Sequence, residues 1–494
     1  MGYETEMLCS RCGEKYPLKE NHRSCLRCGG PLLLNYELGD ISSKITKGTF
    51  SNRIRGVWRY IELLPNINKE KIVSLGEGGT ALLKCERLAR TLGLRKLLVK
   101  DETTNPTGSF LDRGMTIDVS KANELGLKSL KCLAVSGNFA ASASAYASRA
   151  GFSCTIHLPK KMIGKLNLGK LYQIIAYGGN LVVENGRTNY DILNEEGSYS
   201  ISSSNPYFAE GEKTTAYEIC EQLEWQTPDR IVVPIGHGEH ISMIWRGINE
   251  LRELGLIQNR NVAMMGVQIE GYATVVDQLQ SGKVDERSVE KVKTVATDLT
   301  MKKPTHGDLA ICSIRESKGS GVKVNDLEIF DAMALLARTE GIFAEPAAAS
   351  TIAGLKKLID LGHVDKNEEV VCVVTGAGLK DPSTARRFVK KVRTVDKIVS
   401  QIESQRFITR VGRTKFEILK IILSKETYGY EVWRNLKQRL RIDFDISSVY
   451  QHLSELEKAG LIRRTKVESV LGKPERYYYS LTDRGKAIVK SAIM

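Results

Sequence analysis

Between residues 97 and 375 the chain repeatedly alternates short apolar runs, many of them β-branched, with longer segments of helical periodicity. Leu97 to Lys100 precedes a helix predicted over Gly114 to Leu125, Leu130 to Val135 precedes one over Ala140 to Ala150, and Arg230 to Pro234 precedes one over Met243 to Leu254. Val370 to Thr375 adds a further run. Short runs bounded by loops fit strands buried on both faces, and strands separated by helices pair in parallel. The pattern predicts a doubly wound α/β architecture, which holds ligands in the loops beyond the carboxyl ends of its strands. Those loops are rich in glycine here. At 494 residues there is room for about three domains, so other parts flank this one.

The ten cysteines are unevenly placed. Cys9-Ser10-Arg11-Cys12 and Cys25-Leu26-Arg27-Cys28 form two C-x-x-C pairs separated by twelve residues, with Gly13, Gly29 and Gly30 to make tight turns. Two such knuckles bring four thiolates to one tetrahedral Zn²⁺, and an all-cysteine set is a closed, structural site. A redox disulfide is the competing reading, but no βαβ pattern surrounds the pairs. Cys85, Cys132, Cys154, Cys220, Cys312 and Cys372 sit singly in apolar company and read as small buried hydrophobes. No apolar run approaches the ~18 residues of a membrane span, and the acidic start Met-Gly-Tyr-Glu-Thr-Glu does not read as a secretory signal. A cytoplasmic protein is expected.

Charge is also localised. The chain carries 72 Lys+Arg against 58 Asp+Glu, a net +14, and residues 384 to 494 hold 25 of the basic and 12 of the acidic residues. The excess is therefore confined to the last fifth, which points to a polyanion-binding module rather than a generally basic surface.

Five glycine-bearing segments follow in order: Ser74 to Thr80, Lys100-Asp101-Glu102 with Asn105 to Phe110, Ser136-Gly137-Asn138, Gly341 to Pro346, and Thr375 to Pro382. Together they resemble the threonine synthases, over most of residues 1 to 385. The resemblance implies the tryptophan-synthase β fold, the cofactor pyridoxal phosphate (PLP), and conversion of O-phosphohomoserine to threonine. It also implies that Asn138 faces the cofactor ring hydroxyl, Thr375 the pyridine nitrogen, and the Ser136–Asn138 turn a substrate carboxylate. The family's cofactor-bonding lysine lies in Pro-Thr-Gly-Ser-Phe-Lys-Asp-Arg-Gly, and here the segment reads Pro106 to Gly114 with Leu111 in the lysine's place. An isobutyl group has no lone pair, so it can neither form an imine nor act as a base. The family's Gly-Asn-Gly-Gly-Asn type phosphate loop reads Gly236-His237-Gly238-Glu239-His240, which puts a carboxyl where a dianion would sit. That conflict favours either no phosphate or a protonated Glu239; His237 and His240 either offset the charge or are ordinary loop residues.

Near the C-terminus, Lys415 to Leu423 reads as a helix, Tyr428-Gly429 opens a second through Leu440, and Asp445 starts a third that Gly460 ends. Ile446, Val449, Leu453 and Leu456 share one face of the third helix. Leu461 to Lys466 and Arg476 to Thr482, joined by a turn at Gly472-Lys473-Pro474, read as a two-stranded basic wing. This part resembles the winged-helix regulators of the PadR type. The resemblance places Ser447, Ser448 and Gln451 toward base edges in the major groove, and Arg463, Arg464, Lys466, Lys473 and Arg476 on phosphates. Tyr477 to Tyr479 read as wing and core packing.

The expected organisation is a zinc ribbon over 1–38, a threonine-synthase-like domain over 39–385, a basic helical linker over 386–411 and a winged helix over 412–494. The expected function is a DNA-binding transcription regulator, a homodimer on double-stranded DNA. Its enzyme-like domain, without the lysine that bonds PLP, would sense an amino acid or related metabolite, with PLP itself as the second candidate for the signal. The alternatives are a working threonine synthase or related lyase that carries a DNA-binding tail, and a protein-binding scaffold.

Overall fold

The computed structural model describes residues 3–20, 22–133, 136–160, 163, 166–184, 197–282, 293–389, 412–440, 445–469, 475–486 and 489. They form two compact units, Met1–Phe388 and Val389–Met494. Most of the expected 386–411 linker and its helix lie outside the described residues, as do Ala134, Val135 and the Gly472–Pro474 turn.

The first unit opens with a small antiparallel sheet in the order β2-β1-β3, from β1 (Glu4–Cys9), β2 (Lys15–Tyr16) and β3 (Leu32–Tyr36). A six-stranded sheet follows the order β12-β11-β10-β13-β5-β4, with β4 Leu82–Lys84, β5 Lys96–Asp101, β10 Arg230–Pro234, β11 Ala263–Ile269, β12 Ser320–Val324 and β13 Glu369–Val374. All its pairs are parallel except β4 with β5. A second, fully parallel sheet has the order β8-β7-β6-β9, with β6 Ser129–Leu133, β7 Ser153–Pro159, β8 Asn180–Glu184 and β9 Tyr199–Ile201. Ile231, Val232 and Val233 of β10 and Val370 to Val374 of β13 are fully buried, which is why they read as unbroken apolar runs without alternation.

Helices begin earlier than their apolar periodicity suggests. They start at Asp112 rather than Gly114, at Gly137 rather than Ala140, and at Glu239 rather than Met243. The polar residues of these first turns are buried all the same, Asp112 and Arg113 fully and Asn138, Glu239 and His240 nearly so, but they interrupt the apolar periodicity that marks a helix in the sequence. Ser136 caps the 137–150 helix by accepting from Phe139 N at 3.2 Å, which satisfies one of its free N–H groups.

The second unit packs helices Arg413–Ser424, Gly429–Leu440 and Ile446–Lys458 against a sheet of order β14-β16-β15: β14 Thr427–Tyr428, β15 Ile462–Glu468, β16 Arg476–Leu481. The wing thus has a third short strand, in which Thr427 pairs with Tyr479 and Tyr428 with Tyr478. Tyr428 belongs to that strand and not to the second helix, because its backbone pairs with β16 before the chain turns at Gly429. Val449, Leu453 and Leu456 of the third helix meet Phe416, Leu419, Val432, Leu436 and Leu481 in one core, while Ile446 is half-buried. Tyr479 is buried in that core, and Tyr477 packs on its edge.

Five of the six scattered cysteines are buried, but Cys312 is exposed. It lies between buried Ile311 and Ser313 on the outer face of the 307–316 helix, so its apolar neighbours in sequence point away from it.

Candidate functional site

The segment Pro106–Gly114 shows why so much of its pattern persists around Leu111. Asp112 is buried and accepts hydrogen bonds from Thr107 N and Oγ1, both at 2.7 Å, and from Ser142 Oγ; burial pushes its carboxyl up to about 6. Arg113 is fully buried between Glu102 and Glu218, with Nε–Oε2 2.7 Å to Glu102 and Nη2–Oε2 2.8 Å to Glu218, and also donates to Thr80. Lys100 Nζ joins the same group at 2.7 Å from Glu218. Removing one member would leave a buried charge unanswered, so these residues hold the backbone of the loops whatever the cleft does. Gly114 leaves no room for a Cβ, which would lie 2.6 Å from Phe208 O.

Leu111 directly precedes the 112–124 helix; its side chain packs with the apolar cluster of Met115, Val119 and Phe139 and lines a cavity of about 90 Å³. The cavity lies where loops following strands of both parallel sheets meet. Ser136 and Asn138 come from beyond β6, Gly236 to His240 from beyond β10, and Thr375 from beyond β13. Of the cleft residues expected from sequence only Gly137 is not in its wall; it sits against Lys170, where a Cβ would lie 2.7 Å from Cδ.

The wall is internally bonded. Asn138 Nδ2 donates to Glu345 Oε1 at 2.7 Å and to Asp298 Oδ2 at 3.3 Å, and Lys170 Nζ pairs with Asp298 and, at 3.1 Å, with Glu345. Thr375 gives its carbonyl to Phe110 N at 3.0 Å. The Phe110 and His240 rings stack at 4.2 Å, and His240 Nε2 is 3.1 Å from Thr215 Oγ1. Desolvation pushes His237 down to about 4 and His240 to about 3, so neither is protonated at neutral pH and neither brings a positive charge to the Glu239 carboxyl. Burial and the neighbouring Glu212 hold the Glu239 carboxyl well above its usual range. Gly238, φ +89°, admits the chain to the 239–253 helix in a left-handed conformation that a side chain would strain.

Glu212, Asp298, Lys170 and the nearby His306 were not singled out in the sequence. They belong to segments without a motif, and only the fold brings them to the cleft. Glu345 does lie in a recognisable segment, Gly341 to Pro346.

At the N-terminal end the four sulfurs of Cys9, Cys12, Cys25 and Cys28 lie within 4.8 Å of one another. Cys9–Cys28 and Cys12–Cys25 are 3.5 Å apart and Cys12–Cys28 3.4 Å. Metal–sulfur bonds of ~2.3 Å give a tetrahedron with edges of about 3.8 Å, so the donor set fits one such ion after a small expansion. Each knuckle closes alike, Gly13 N to Cys9 O at 3.0 Å and Gly29 N to Cys25 O at 2.8 Å, both glycines at positive φ. Gly30 is not a left-handed position; it makes room, since a Cβ there would lie 3.1 Å from Cys9 Sγ.

In the second unit Ser447 and Gln451 are exposed and Ser448 half-buried on the 446–458 helix. Ser447 is held by the capping Asp445, and Gln451 Nε2 reaches Glu455 at 3.2 Å. Arg463, Arg464 and Lys466 are exposed on β15, and Arg476 half-buried on β16 lies over the Tyr428 ring at 4.9 Å. Arg464 pairs with Glu457 at 3.1 Å and stacks over Tyr477. Lys473 lies outside the described residues.

Residues 73–376 match the family model described as pyridoxal-phosphate dependent enzyme, and residues 418–491 that of the transcriptional regulator PadR-like family. The threonine synthase of Methanocaldococcus jannaschii is 43% identical over 387 residues, covering 77% of this chain and 94% of that protein. The threonine synthase of Methanosarcina acetivorans is 39% identical over 407 residues, 81% of this chain and 98% of that protein. Among solved structures, maize serine racemase superposes with a TM-score of 0.53 at 21% identity over 63% of this chain and 92% of its own, which supports the fold alone. The chain belongs to the pyridoxal-phosphate dependent enzyme family, with threonine synthases among its relatives. A PadR-like domain follows the enzyme-like one in the same polypeptide. Among the described residues no helix is long and apolar enough to cross a membrane.

Proposed function

We propose that this protein is a DNA-binding transcription regulator whose threonine-synthase-like domain senses an amino acid or related metabolite and no longer performs its relatives' chemistry. The observation that carries this reading is Leu111, an aliphatic side chain in the cleft wall at the position the resemblance gives to the cofactor-bonding lysine. The cleft does not fit PLP. Its volume of about 90 Å³ is below the ~150 Å³ that accommodates one benzene, whereas PLP adds a phosphate to a substituted ring. The loop that would cradle that phosphate presents the buried carboxyl of Glu239. The surrounding motif is explained by the Arg113 and Asp112 networks, which serve the fold.

In this reading an effector in the cleft biases the protein between two arrangements and so alters how paired winged helices engage an operator, since palindromic sites need two modules. Ser447, Ser448 and Gln451 read bases, and Arg463, Arg464, Lys466, Lys473 and Arg476 hold phosphates. Cys9, Cys12, Cys25 and Cys28 bind a structural Zn²⁺ as a zinc ribbon.

The 43% identity over nearly all of the M. jannaschii threonine synthase favours a second reading, a working lyase with a DNA-binding tail. Incubation with PLP, borohydride reduction and peptide mass mapping separates the two. The regulator yields no pyridoxyl-modified lysine in the cleft and selects specific fragments from sheared genomic DNA; a modified cleft lysine together with threonine formation from O-phosphohomoserine establishes the lyase.

A further inference from the structure

Gln451 is exposed on the 446–458 helix, on the side away from Val449, Leu453 and Leu456, which face the core. Its amide is held. Nε2 donates to Glu455 Oε1 at 3.2 Å, one helical turn on. Lys415, reaching over from the 413–424 helix, pairs with Glu455 Oε2 at 2.5 Å, and His452 Nδ1 is 3.7 Å from that oxygen. The Lys415 ammonium, and after it the Gln451 amide, hold the Glu455 carboxyl below its usual range, so it is ionised at neutral pH. An ionised carboxylate only accepts hydrogen bonds. It therefore fixes the sense of the glutamine amide, NH₂ toward Glu455 and Oε1 away, which an exposed glutamine alone would not keep.

That orientation discriminates among bases. One N–H of Nε2 is given to Glu455, which leaves the other N–H and Oε1 for a base. A donor together with an acceptor is the complement of adenine, which offers N7 as acceptor and N6–H as donor in the major groove. Guanine offers two acceptors there, N7 and O6, and would leave Oε1 facing a like group. A carboxylate such as Glu455 would suit the N4–H of cytosine, but each of its oxygens is already engaged, Oε1 by Gln451 and Oε2 by Lys415. Ser447 is also committed, its hydroxyl donating to the capping Asp445, and Ser448 is half-buried.

We infer that Gln451 reads an adenine, and that Glu455, anchored by Lys415, is the positioning residue that sets its amide for that base. The inference rests on the DNA-binding reading of the second unit and gives that reading a base. It also explains how an acidic side chain is tolerated beside the base-reading residue of a helix turned to a polyanion: Glu455 is paired before any DNA arrives.

Selection of random duplexes by the pure full chain, followed by competition binding on single-base variants of the selected duplex, tests it. Adenine should be preferred at one position about five- to a hundred-fold, the discrimination of one bidentate contact. Gln451→Ala should abolish that preference and leave the other positions as they are. Glu455→Gln should lower it about two- to ten-fold, because a glutamine at 455 donates as well as accepts and no longer fixes the amide. Lys415→Met, which releases Glu455, should lower it in the same direction, whereas Lys415→Arg, which keeps the pair, should retain the native preference. Lys415 and Glu455 are half-buried and lie outside the apolar core, so the melting midpoint should stay at its native value in each variant. A merely structural role would instead lower the midpoint and weaken every duplex alike. A base other than adenine at the position erased by Gln451→Ala, including a cytosine lost in Glu455→Gln, would overturn the adenine assignment. Native preference in both Glu455→Gln and Lys415→Met would overturn the positioning role. If Gln451→Ala leaves every position of a selected site unchanged, the inference falls while the regulator reading stands; if no sequence is selected, the regulator reading falls with it.

Discussion

Replacing Arg463 and Lys466 together with alanine removes two exposed cations from the first wing strand while leaving its buried anchor, Ile462, in place. Each phosphate neutralised by a protein cation adds about 0.9 to the slope of log affinity against log salt, so the pair accounts for about 1.8. From 50 to 200 mM salt the native protein should therefore lose about twelve-fold more affinity than the double variant. Arg464 is a different case. Its guanidinium is paired with Glu457 at 3.1 Å and stacked on Tyr477, so part of its charge is already spent inside the domain. Arg464→Ala alone should change the slope by less than the ~0.9 of a free cation. Fluorescence anisotropy on a labelled duplex across that salt range measures both slopes, and an unrelated duplex should show the same change, since phosphates carry no sequence. A double variant whose slope equals the native one on both duplexes would refute the phosphate assignment of the wing.

Gln451→Ala should narrow the affinity gap between a selected and an unrelated duplex by about 1–3 kcal/mol, read from competition binding, with no change in salt slope. Prolonged chelation, or Cys25→Ser, should lower the melting midpoint of the first unit, and stoichiometric Zn²⁺ should restore it only in the native chain. Burial pushes the Asp118 carboxyl up to about 7 against the hydrogen bonds of Tyr199 and the charge of Arg23. The folded state then keeps a proton that the unfolded chain releases, so stability falls as pH rises from about 4 to 7. Asp118→Asn should remove that fall, gaining on the native chain by up to about 4 kcal/mol in urea unfolding at pH 8 relative to pH 4. Gly238→Ala should cost about 1–3 kcal/mol, because the position is left-handed and the new Cβ would lie 2.7 Å from His306 O.

What the chain shows before it is folded depends on how far apart the interacting residues are. Strand β10 coincides with the apolar run Arg230–Pro234 because both its faces are covered, and the third winged-helix segment is legible from Val449, Leu453 and Leu456 alone. The cysteine knuckles are legible for the same reason, each being a local turn with its own glycine. By contrast, Glu212 ends one helix, Asp298 sits in a short turn and Lys170 opens another helix, so their meeting in the cleft depends on the crossing of two sheets. Even Glu239, conspicuous in sequence, does not disclose there that Glu212 is its neighbour. The histidines show the limit from the other side: their identity is plain, but their neutrality is a product of burial.

The Arg113 and Asp112 networks bear on how such chains are compared. Across Pro106–Gly114 eight of nine positions follow the family's wording, and the buried ion pairs and crowded glycine account for that agreement through the demands of the scaffold. A similarity score summed over the stretch thus counts architecture many times and chemistry once. For kindred proteins the informative question is narrow: which side chain stands at the position of Leu111, and which stands in the loop at Glu239.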